Sequence, residues 1–132
     1  MYADMLKRYY AAWKPGNADE VVSFFCEDAT FEDLAFEAKF DGHQEIAGFV
    51  ALTYSGIPDF SVAPTTIVVG EDAAAAEWTM RGTHEGDLPG LPATGKSFEV
   101  RASSVVKFRE GRIQHITDYW SPDAFRRCVG LL

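Results

Sequence analysis

Cysteine and positive charge are both scarce in this sequence, and each scarcity argues against a class of protein. The chain has two cysteines, Cys26 and Cys128, which are too few and too far apart to indicate a disulfide framework or a metal site. Lysine and arginine number 12 against 20 acidic residues, and no basic block is present. The resulting net charge of -8 argues against nucleic acid and anionic membranes as partners.

Long apolar runs are missing as well. No stretch approaches the roughly 20 residues that a membrane-spanning helix needs. The N-terminal segment 1–6 includes an acidic residue and lacks the apolar core of a signal peptide. We therefore expect a soluble cytoplasmic protein. At 132 residues and 47% hydrophobic content, the chain is long enough to bury a core, and we predict a single domain over residues 1–132.

The first third of the chain has the spacing of amphipathic helices. An apolar stripe predicts a first helix, which Pro15-Gly16 ends. Asn17 and Glu20 have the spacing of a capping box and predict the start of a second helix. A short extended piece is predicted over 30–32, and a third helix over 42–56. The stripe of the first helix consists of Tyr2, Met5, Leu6, Tyr9 and Trp13.

From Asp59 onward the hydrophobic period changes to two, which is typical of strands. We predict strands over 60–69, 73–81, 98–108 and 112–120, a Gly/Pro-rich loop over 82–95, and a short tail after Pro122. Helices followed by a meander of strands predict an α+β domain, with three N-terminal helices packed on one face of a strongly curved antiparallel sheet.

The last strand is also expected to carry partly apolar residues on the outer face of the sheet. Ile113, Thr117 and Tyr119 have the opposite parity to Asp118, as does His115. Three helices cannot cover both faces of a sheet. We therefore predict a homodimer in which two copies pack through this outer face.

Asp118 is the most informative residue because it lies in an apolar setting. On a strand it shares one face with Ile116 and Trp120. Burial disfavours the charged form of a carboxyl group, and a raised pKa suits a catalytic acid or base that works near neutral pH. The alternative is a wet strand edge with an ordinary surface charge.

The register of the last hairpin decides which residues face Asp118. A three-residue loop over 109–111 pairs Phe108 with Arg112 and places Ala102 opposite Asp118, on one surface. A two-residue loop would place the apolar face of the preceding strand and Asp118 on opposite faces. The clean alternation of that strand favours the three-residue loop.

Three stretches of the chain resemble sequences of one superfamily. The run from Arg8-Tyr9 through Gly16-Asn17-Ala18 to Asp33 resembles the opening of bacterial ketosteroid isomerases. The run 82–95, Gly-Thr-His-Glu-Gly-Asp-Leu-Pro-Gly-Leu-Pro-Ala-Thr-Gly, resembles SnoaL-like polyketide cyclases, and 111–120 resembles both families in outline. The chain thus resembles the SnoaL-like and ketosteroid-isomerase-like branches of the nuclear-transport-factor-2-like superfamily. This resemblance implies a cone-shaped α+β barrel that encloses a pocket.

The resemblance also implies four catalytic candidates. In ketosteroid isomerases the base is a carboxylate at the place of Asp33, and a tyrosine at the place of Tyr9 donates to the enolate oxygen. SnoaL-like cyclases have an acid/base aspartate at the place of Asp118. Ser104 stands where the first branch has a neutral carboxylic acid and some members of the second have a histidine, so its hydroxyl is a weaker donor. Since the branches assign the base differently, both aspartates remain candidates.

The implied reaction is removal of a proton from a carbon beside a carbonyl, as in isomerisation or aldol-type cyclisation, with no metal and no cofactor required. Epoxide hydrolysis is disfavoured, because the Arg and Asp of limonene-type epoxide hydrolases fall at Trp78 and Met80. Apolar walls suit a flat, largely hydrophobic substrate, such as a fused-ring (polycyclic) ketone or ester. The expected substrate-binding residues are Trp78, Met80, Trp120, Phe49 and His84.

Each candidate also has a structural interpretation. Asp33 can cap a backbone amide in a loop, and Tyr9 can be a core tyrosine with a satisfied hydroxyl. Ser104 can be a small residue in a crowded sheet, and His84 can make a structural hydrogen bond. For the whole protein, the alternatives are a non-catalytic module that binds a small hydrophobic molecule and a pure assembly domain.

Overall fold

The computed structural model describes residues 1–132 as four helices and six strands. The helices are α1 (Tyr2–Ala12), α2 (Ala18–Ser23), α3 (Gly42–Gly56) and α4 (Pro122–Val129). The strands are β1 (Phe25–Asp33), β2 (Ala38–Asp41), β3 (Ser61–Val69), β4 (Ala73–Thr83), β5 (Ser97–Arg109) and β6 (Arg112–Trp120). None of the helices combines the length and the apolar character needed to cross a membrane.

The six strands form one sheet in the order β2-β1-β6-β5-β4-β3. Strands β3 to β6 make an antiparallel meander, as predicted, whereas β1 pairs with β6 in parallel. A parallel pair requires a long connection, and here α3 and the four strands β2 to β5 supply it. The predicted α+β fold, with helices packed on a curved sheet, is confirmed. The sheet is however mixed rather than purely antiparallel, and it does not close into a barrel.

The core lies between the helices and the inner face of the sheet, where 32 buried hydrophobic residues form one cluster. Alternation along β5 explains this placement, since its buried positions run from Phe98 to Phe108 in steps of two. Helix α1 contributes its apolar face, with Leu6, Tyr9 and Tyr10 each at most 3% exposed. The stripe predicted for this helix is therefore the side that packs on the sheet.

The region between the first two helices differs from the predicted capping box. The Asn17 side chain makes no N-cap hydrogen bond. Its Nδ2 donates instead to the carbonyl oxygen of Ala12 at 2.8 Å and to Glu20 Oε2 at 2.7 Å. The side chain satisfies an unpaired carbonyl at the end of α1 and links the two helices.

The C-terminal tail is a helix, which the sequence interpretation missed. Ser121 Oγ accepts a hydrogen bond from the backbone N–H of Ala124 at 3.1 Å, and Pro122 occupies the first turn. Gly130, with φ of +79°, ends the helix in the left-handed conformation. The Ser-Pro-Asp start and the glycine stop were the signals that could have predicted α4.

The last hairpin has a two-residue turn, so the predicted three-residue loop is wrong. Glu110 and Gly111 have φ of 52° and 80°, which is typical of a type I′ turn. A bulge follows in β6: Gln114 has no partner in the ladder. The two-residue turn pairs Ile113 with Phe108 on the inner face, and the bulge then shifts the register by one residue, which places Ser104 opposite Asp118. The expected common surface of β5 and β6 therefore exists, in a different register.

Candidate functional site

An apolar cavity lies between the inner face of the sheet and helices α1, α3 and α4. Of its 18 lining residues 15 are hydrophobic, so any polar group in it is poorly solvated. The cavity volume is about 60 Å³, less than half of the roughly 150 Å³ of an apolar cavity that binds benzene. A ring-sized molecule therefore requires the lining side chains to move apart.

Asp118 lines this cavity and is 7% exposed. The bulge at Gln114 determines the orientation of the Asp118 side chain. It shifts the later residues of β6 by one position, so that Asp118 shares a surface with Ser104. Burial raises the pKa of Asp118 to about 8; the hydrogen bond from Ser104 lowers it, and the nearby charge of Asp33 raises it further. At neutral pH this carboxyl group is therefore mostly protonated.

Ser104 connects Asp118 to Trp78 through two buried hydrogen bonds. The Trp78 indole Nε1–H donates to Ser104 Oγ at 2.9 Å, and the Ser104 hydroxyl donates to Asp118 Oδ1 at 2.6 Å. Because an indole N–H can only donate, it helps to direct the serine proton toward Asp118. Ser104 is fully buried and is not part of the cavity surface. Its hydroxyl thus orients a carboxyl group that does face the cavity.

Asp33 is the second carboxyl group in the cavity. It stands at the end of β1, directly beside Asp118 in the parallel ladder, and is 3% exposed. Its Oδ2 accepts a hydrogen bond from Trp120 Nε1 at 3.0 Å, and its Oδ1 accepts one from the backbone N–H of Phe36 at 3.0 Å. Burial raises the pKa of Asp33, while these N–H donors lower it. Asp33 therefore both caps a backbone amide and faces the cavity.

The two neighbouring carboxyl groups have unequal environments. Asp33 accepts two N–H donors, whereas Asp118 accepts one hydroxyl donor. Donors to an ionised carboxylate favour the charged form, and two close carboxylates resist being charged together. The pair therefore favours one arrangement at neutral pH, with Asp33 ionised and Asp118 protonated. A protonated acid beside an ionised base can donate and accept protons on one bound molecule.

Two adjacent tyrosines of α1 also line the cavity. Tyr9 lines the cavity as expected. Burial raises the pKa of Tyr9, and the charge of Asp118 raises it further. Tyr10 was not expected. It is 3% exposed and its hydroxyl has no hydrogen-bond partner in the protein. The available signal was its helical spacing, four residues after Leu6 and three before Trp13.

The structure brings together most of the residues expected to bind substrate. Trp78, Met80, Trp120 and Phe49 all line the cavity. His84 does not, because it is fully buried behind the loop 85–96. Its Nε2 lies 3.1 Å from the carbonyl oxygen of Leu91, and its ring packs edge-on against Phe125 with centroids 5.2 Å apart. These contacts correspond to the structural alternative for His84.

Part of the cavity wall could not be predicted because it lies on elements that the sequence interpretation left irregular. Phe125 belongs to α4, and Phe36 lies in the β1–β2 connection. Phe36 packs edge-on against Trp120, with ring centroids 5.2 Å apart. Further wall residues that were missed are Trp13, Leu52, Thr53, Ile57, Phe60, Val62, Leu88 and Phe98.

No group of three or more His, Cys, Asp or Glu side chains is arranged to hold a metal ion. Cys26 and Cys128 are free thiols; the first is buried and the second exposed.

Comparison with known proteins agrees with the fold and with the resemblance noted in the sequence. The profile of the SnoaL-like domain matches residues 6–116. No curated protein sequence matches the chain. Many solved structures do, and three of them are particularly similar.

The first is a hypothetical protein from Catenulispora acidiphila with a ketosteroid isomerase-like fold, in complex with trimethylamine. It is 25% identical to this chain, with a TM-score of 0.84, and the match covers 94% of this chain and 90% of that one. TsrD from Streptomyces laurentii is 21% identical, with a TM-score of 0.86 and coverage of 99% and 96%. IdmH from Streptomyces antibioticus, provisionally assigned as a polyketide cyclase, is 22% identical, with a TM-score of 0.83 and coverage of 97% of both chains.

Proposed function

The chain belongs to the SnoaL-like domain family, and from that premise we propose that it is an acid–base catalyst of the isomerase or cyclase type. The proposed substrate is a small hydrophobic ketone or ester. The proposed step removes a proton from a carbon next to the carbonyl group, without a metal or an organic cofactor. Because the fold hosts many functions, the proposal rests on the site rather than on the family.

The observation that carries the proposal is the unequal pair of carboxyl groups. Asp33 and Asp118 are neighbours in the sheet and both face the same apolar cavity. Their hydrogen bonds favour an ionised Asp33, and the pKa of Asp118 is raised to about 8 by burial. Environments that separate the pKa values of two titratable groups are how enzymes obtain an acid and a base at one pH.

In the proposed step the Asp33 carboxylate accepts the proton from the α-carbon, and the electron pair of that C–H bond moves toward the carbonyl oxygen. Protonated Asp118 donates a hydrogen bond to this oxygen as negative charge develops there. In an isomerisation, Asp33 returns the proton to another carbon. In an aldol-type cyclisation, the enolate carbon attacks a second carbonyl, whose oxygen receives the proton that Asp33 removed from the α-carbon.

The other two candidate residues are assigned supporting roles. Ser104 is a positioning residue, since its hydroxyl donates to Asp118 and lies outside the cavity surface. Tyr9 lines the cavity and is retained as a donor to the developing enolate oxygen. Fifteen hydrophobic lining residues support an apolar substrate skeleton.

Solvent-deuterium exchange at the α-carbon of cyclic ketones and β-keto esters tests the proposal. Wild type is expected to catalyse exchange, Asp33→Asn to abolish it, and Asp118→Asn to reduce it by roughly 100-fold, in the range of general acid–base contributions. Asp28→Asn is the matched control, because Asp28 is an exposed carboxylate on the same strand as Asp33. Exchange that survives in both cavity variants would refute the proposal.

A non-catalytic binding module is the second candidate. One observation favours it: the Ser104 hydroxyl is engaged by Trp78 and Asp118, so it does not donate to a substrate as the residue at that place does in the catalytic families. Tryptophan fluorescence measured on the same panel separates the two functions. Tight binding without exchange would select the binding module, whereas neither binding nor ligand-dependent stabilisation would favour an assembly domain.

We further propose a homodimer through the outer face of the sheet. Val105 and Tyr119 are 43% and 42% exposed on this face, next to the oppositely charged pair Glu77 and Arg101. A two-fold interface brings such a patch against its own copy. Light scattering is expected to give a dimer for wild type and a monomer for Val105→Asp. The control Leu34→Asp, at a residue 41% exposed in the β1–β2 turn, is expected to remain dimeric.

A further inference from the structure

Tyr10 carries a buried hydroxyl that no protein group satisfies. The residue is 3% exposed, and its oxygen makes no hydrogen bond within the protein. Buried polar atoms are nearly always paired in folded proteins, so an unpaired one calls for a physical explanation. Tyr10 also lines the apolar cavity. The hydroxyl is thus placed where a bound molecule can reach it.

The surroundings of Tyr10 fix this hydroxyl as a donor. Its ring packs against Trp78, with centroids 6.0 Å apart. Burial raises the pKa of Tyr10, the charge of Asp118 raises it further, and an interaction with the Ser104 hydroxyl that falls short of hydrogen-bond geometry lowers it. The phenol therefore keeps its proton at neutral pH. Ser104 already accepts from Trp78 and donates to Asp118, and Tyr10 has no aligned hydrogen bond with it.

We propose that Tyr10 donates a hydrogen bond to the carbonyl oxygen of the bound substrate, beside Asp118. This inference rests on the proposed function for the identity of the ligand as a carbonyl compound. It adds a donor to those implied by the resemblance, which concerns the neighbouring Tyr9. The Tyr9 ring packs edge-on against Phe24 and Phe25, with centroids 5.9 Å and 5.6 Å away.

The proposal predicts a specific selectivity. A ligand with an acceptor oxygen on a flat apolar skeleton satisfies the Tyr10 hydroxyl, whereas a hydrocarbon of the same shape leaves it unpaired. Sites with a buried polar group discriminate strongly against ligands that fail to pair it. Wild type is therefore expected to bind a ketone more tightly than the alkene in which CH₂ replaces the carbonyl oxygen.

The test compares para-fluoroacetophenone with para-fluoro-α-methylstyrene by fluorine NMR titration. Tyr10→Phe is expected to weaken ketone binding about fivefold, the value of one neutral hydrogen bond, and to leave alkene binding unchanged. Tyr54→Phe is the matched control. Tyr54 also has a buried hydroxyl without a partner, but it does not line the cavity. Both ligands are expected to bind this control as they bind wild type.

A thermal melt checks the fold of Tyr10→Phe, which is expected to be at least as stable as wild type because the lost hydroxyl has no protein partner. Two results would overturn the assignment: an unchanged ratio of ketone to alkene affinity, which includes an equal loss for both ligands, or no ketone binding by wild type.

Running the titration in deuterated water separates this assignment from the proposed function. Exchange of the methyl protons of the ketone reports catalysis, and the affinity ratio reports the Tyr10 contact. Selective loss of ketone affinity in Tyr10→Phe, with no exchange by wild type, would refute catalysis on this ketone and support the Tyr10 contact. Exchange by wild type, with an unchanged affinity ratio in Tyr10→Phe, would support catalysis on this ketone and refute the Tyr10 contact.

Discussion

Replacing Asp118 with asparagine is expected to stabilise the fold, increasingly so as the pH rises. Burial raises the pKa of Asp118 to about 8 from an ordinary value of 3.8. Between these values the folded protein holds a proton that the unfolded chain has released. Stability from this group is therefore fully present below the lower pKa and is lost as the pH rises toward the upper one.

The size of the effect follows from the pKa difference. Each pH unit inside the window costs about 1.4 kcal/mol of folding free energy. From about pH 4 to pH 7 the wild type therefore loses about 4 kcal/mol through Asp118. Asparagine has no titratable proton in this pH range, and its side-chain carbonyl oxygen can still accept a hydrogen bond from Ser104. The stability difference between Asp118→Asn and wild type should shift by about 4 kcal/mol in favour of the variant over that range.

Urea unfolding followed by tryptophan fluorescence, at one-unit steps of pH, measures the difference. Asp28→Asn is a control for which the opposite pH dependence of stability is expected, because the hydrogen bond from Arg109 lowers the pKa of Asp28. Its stabilising contribution is present at neutral pH and is lost as the pH falls, so that variant is expected to be the less stable one at pH 7. A stability difference for Asp118→Asn that stays constant with pH would refute the claim that this carboxyl group is buried and protonated.

Two further predictions concern the cavity and its supports. Trp120→Phe removes a donor to Asp33, which raises the pKa of that carboxyl group and should move the acidic limb of the kcat/KM profile upward by about one pH unit. Gly86→Ala should destabilise by about 1–3 kcal/mol in urea unfolding, because its Cβ would lie 2.5 Å from the carbonyl oxygen of Ser55. Gly48→Ala, at an exposed helical position with no atom near the added Cβ, should instead stabilise by up to about 1 kcal/mol. An unchanged acidic limb in Trp120→Phe would contradict the role given to the Trp120 donor. Equal stability effects of Gly86→Ala and Gly48→Ala would contradict the close contact at Gly86.

The elements that the sequence predicted well are those with a strong local period. Helix α3 and strands β3 to β6 follow apolar spacing that is visible along the chain. The parallel pairing of β1 with β6 leaves no comparable signal, since Thr30 and His115 are partners across 85 positions. That Asp33 and Asp118 belong to one pocket was therefore implied only by the resemblance, and no local pattern indicated that they are neighbours in the sheet.

The residues that sequence reasoning missed depend on tertiary packing. Tyr10 and Phe125 have ordinary apolar spacing, and only the folded chain shows that both face one cavity. His84 illustrates the opposite error. A histidine in a Gly/Pro-rich segment suggested a pocket mouth, but its ring forms a hydrogen bond with the Leu91 carbonyl of the loop and packs against Phe125 of α4. The single domain, the cytoplasmic location and independence from cofactors stay predictions.

The face of Asp118 was predicted correctly from a wrong turn, and the reason is parity. With the observed two-residue turn and no bulge, Arg109 pairs with Arg112 and Ser103 would stand opposite Asp118, on the outer face. The unpaired Gln114 adds one residue to β6 and brings Ser104 opposite instead. A three-residue loop changes the parity in the same way, so both routes give the inner face. The two routes differ in which residue of β5 faces Asp118. Ser104, whose hydroxyl donates to Asp118, has this position because the extra residue lies in β6 rather than in the turn.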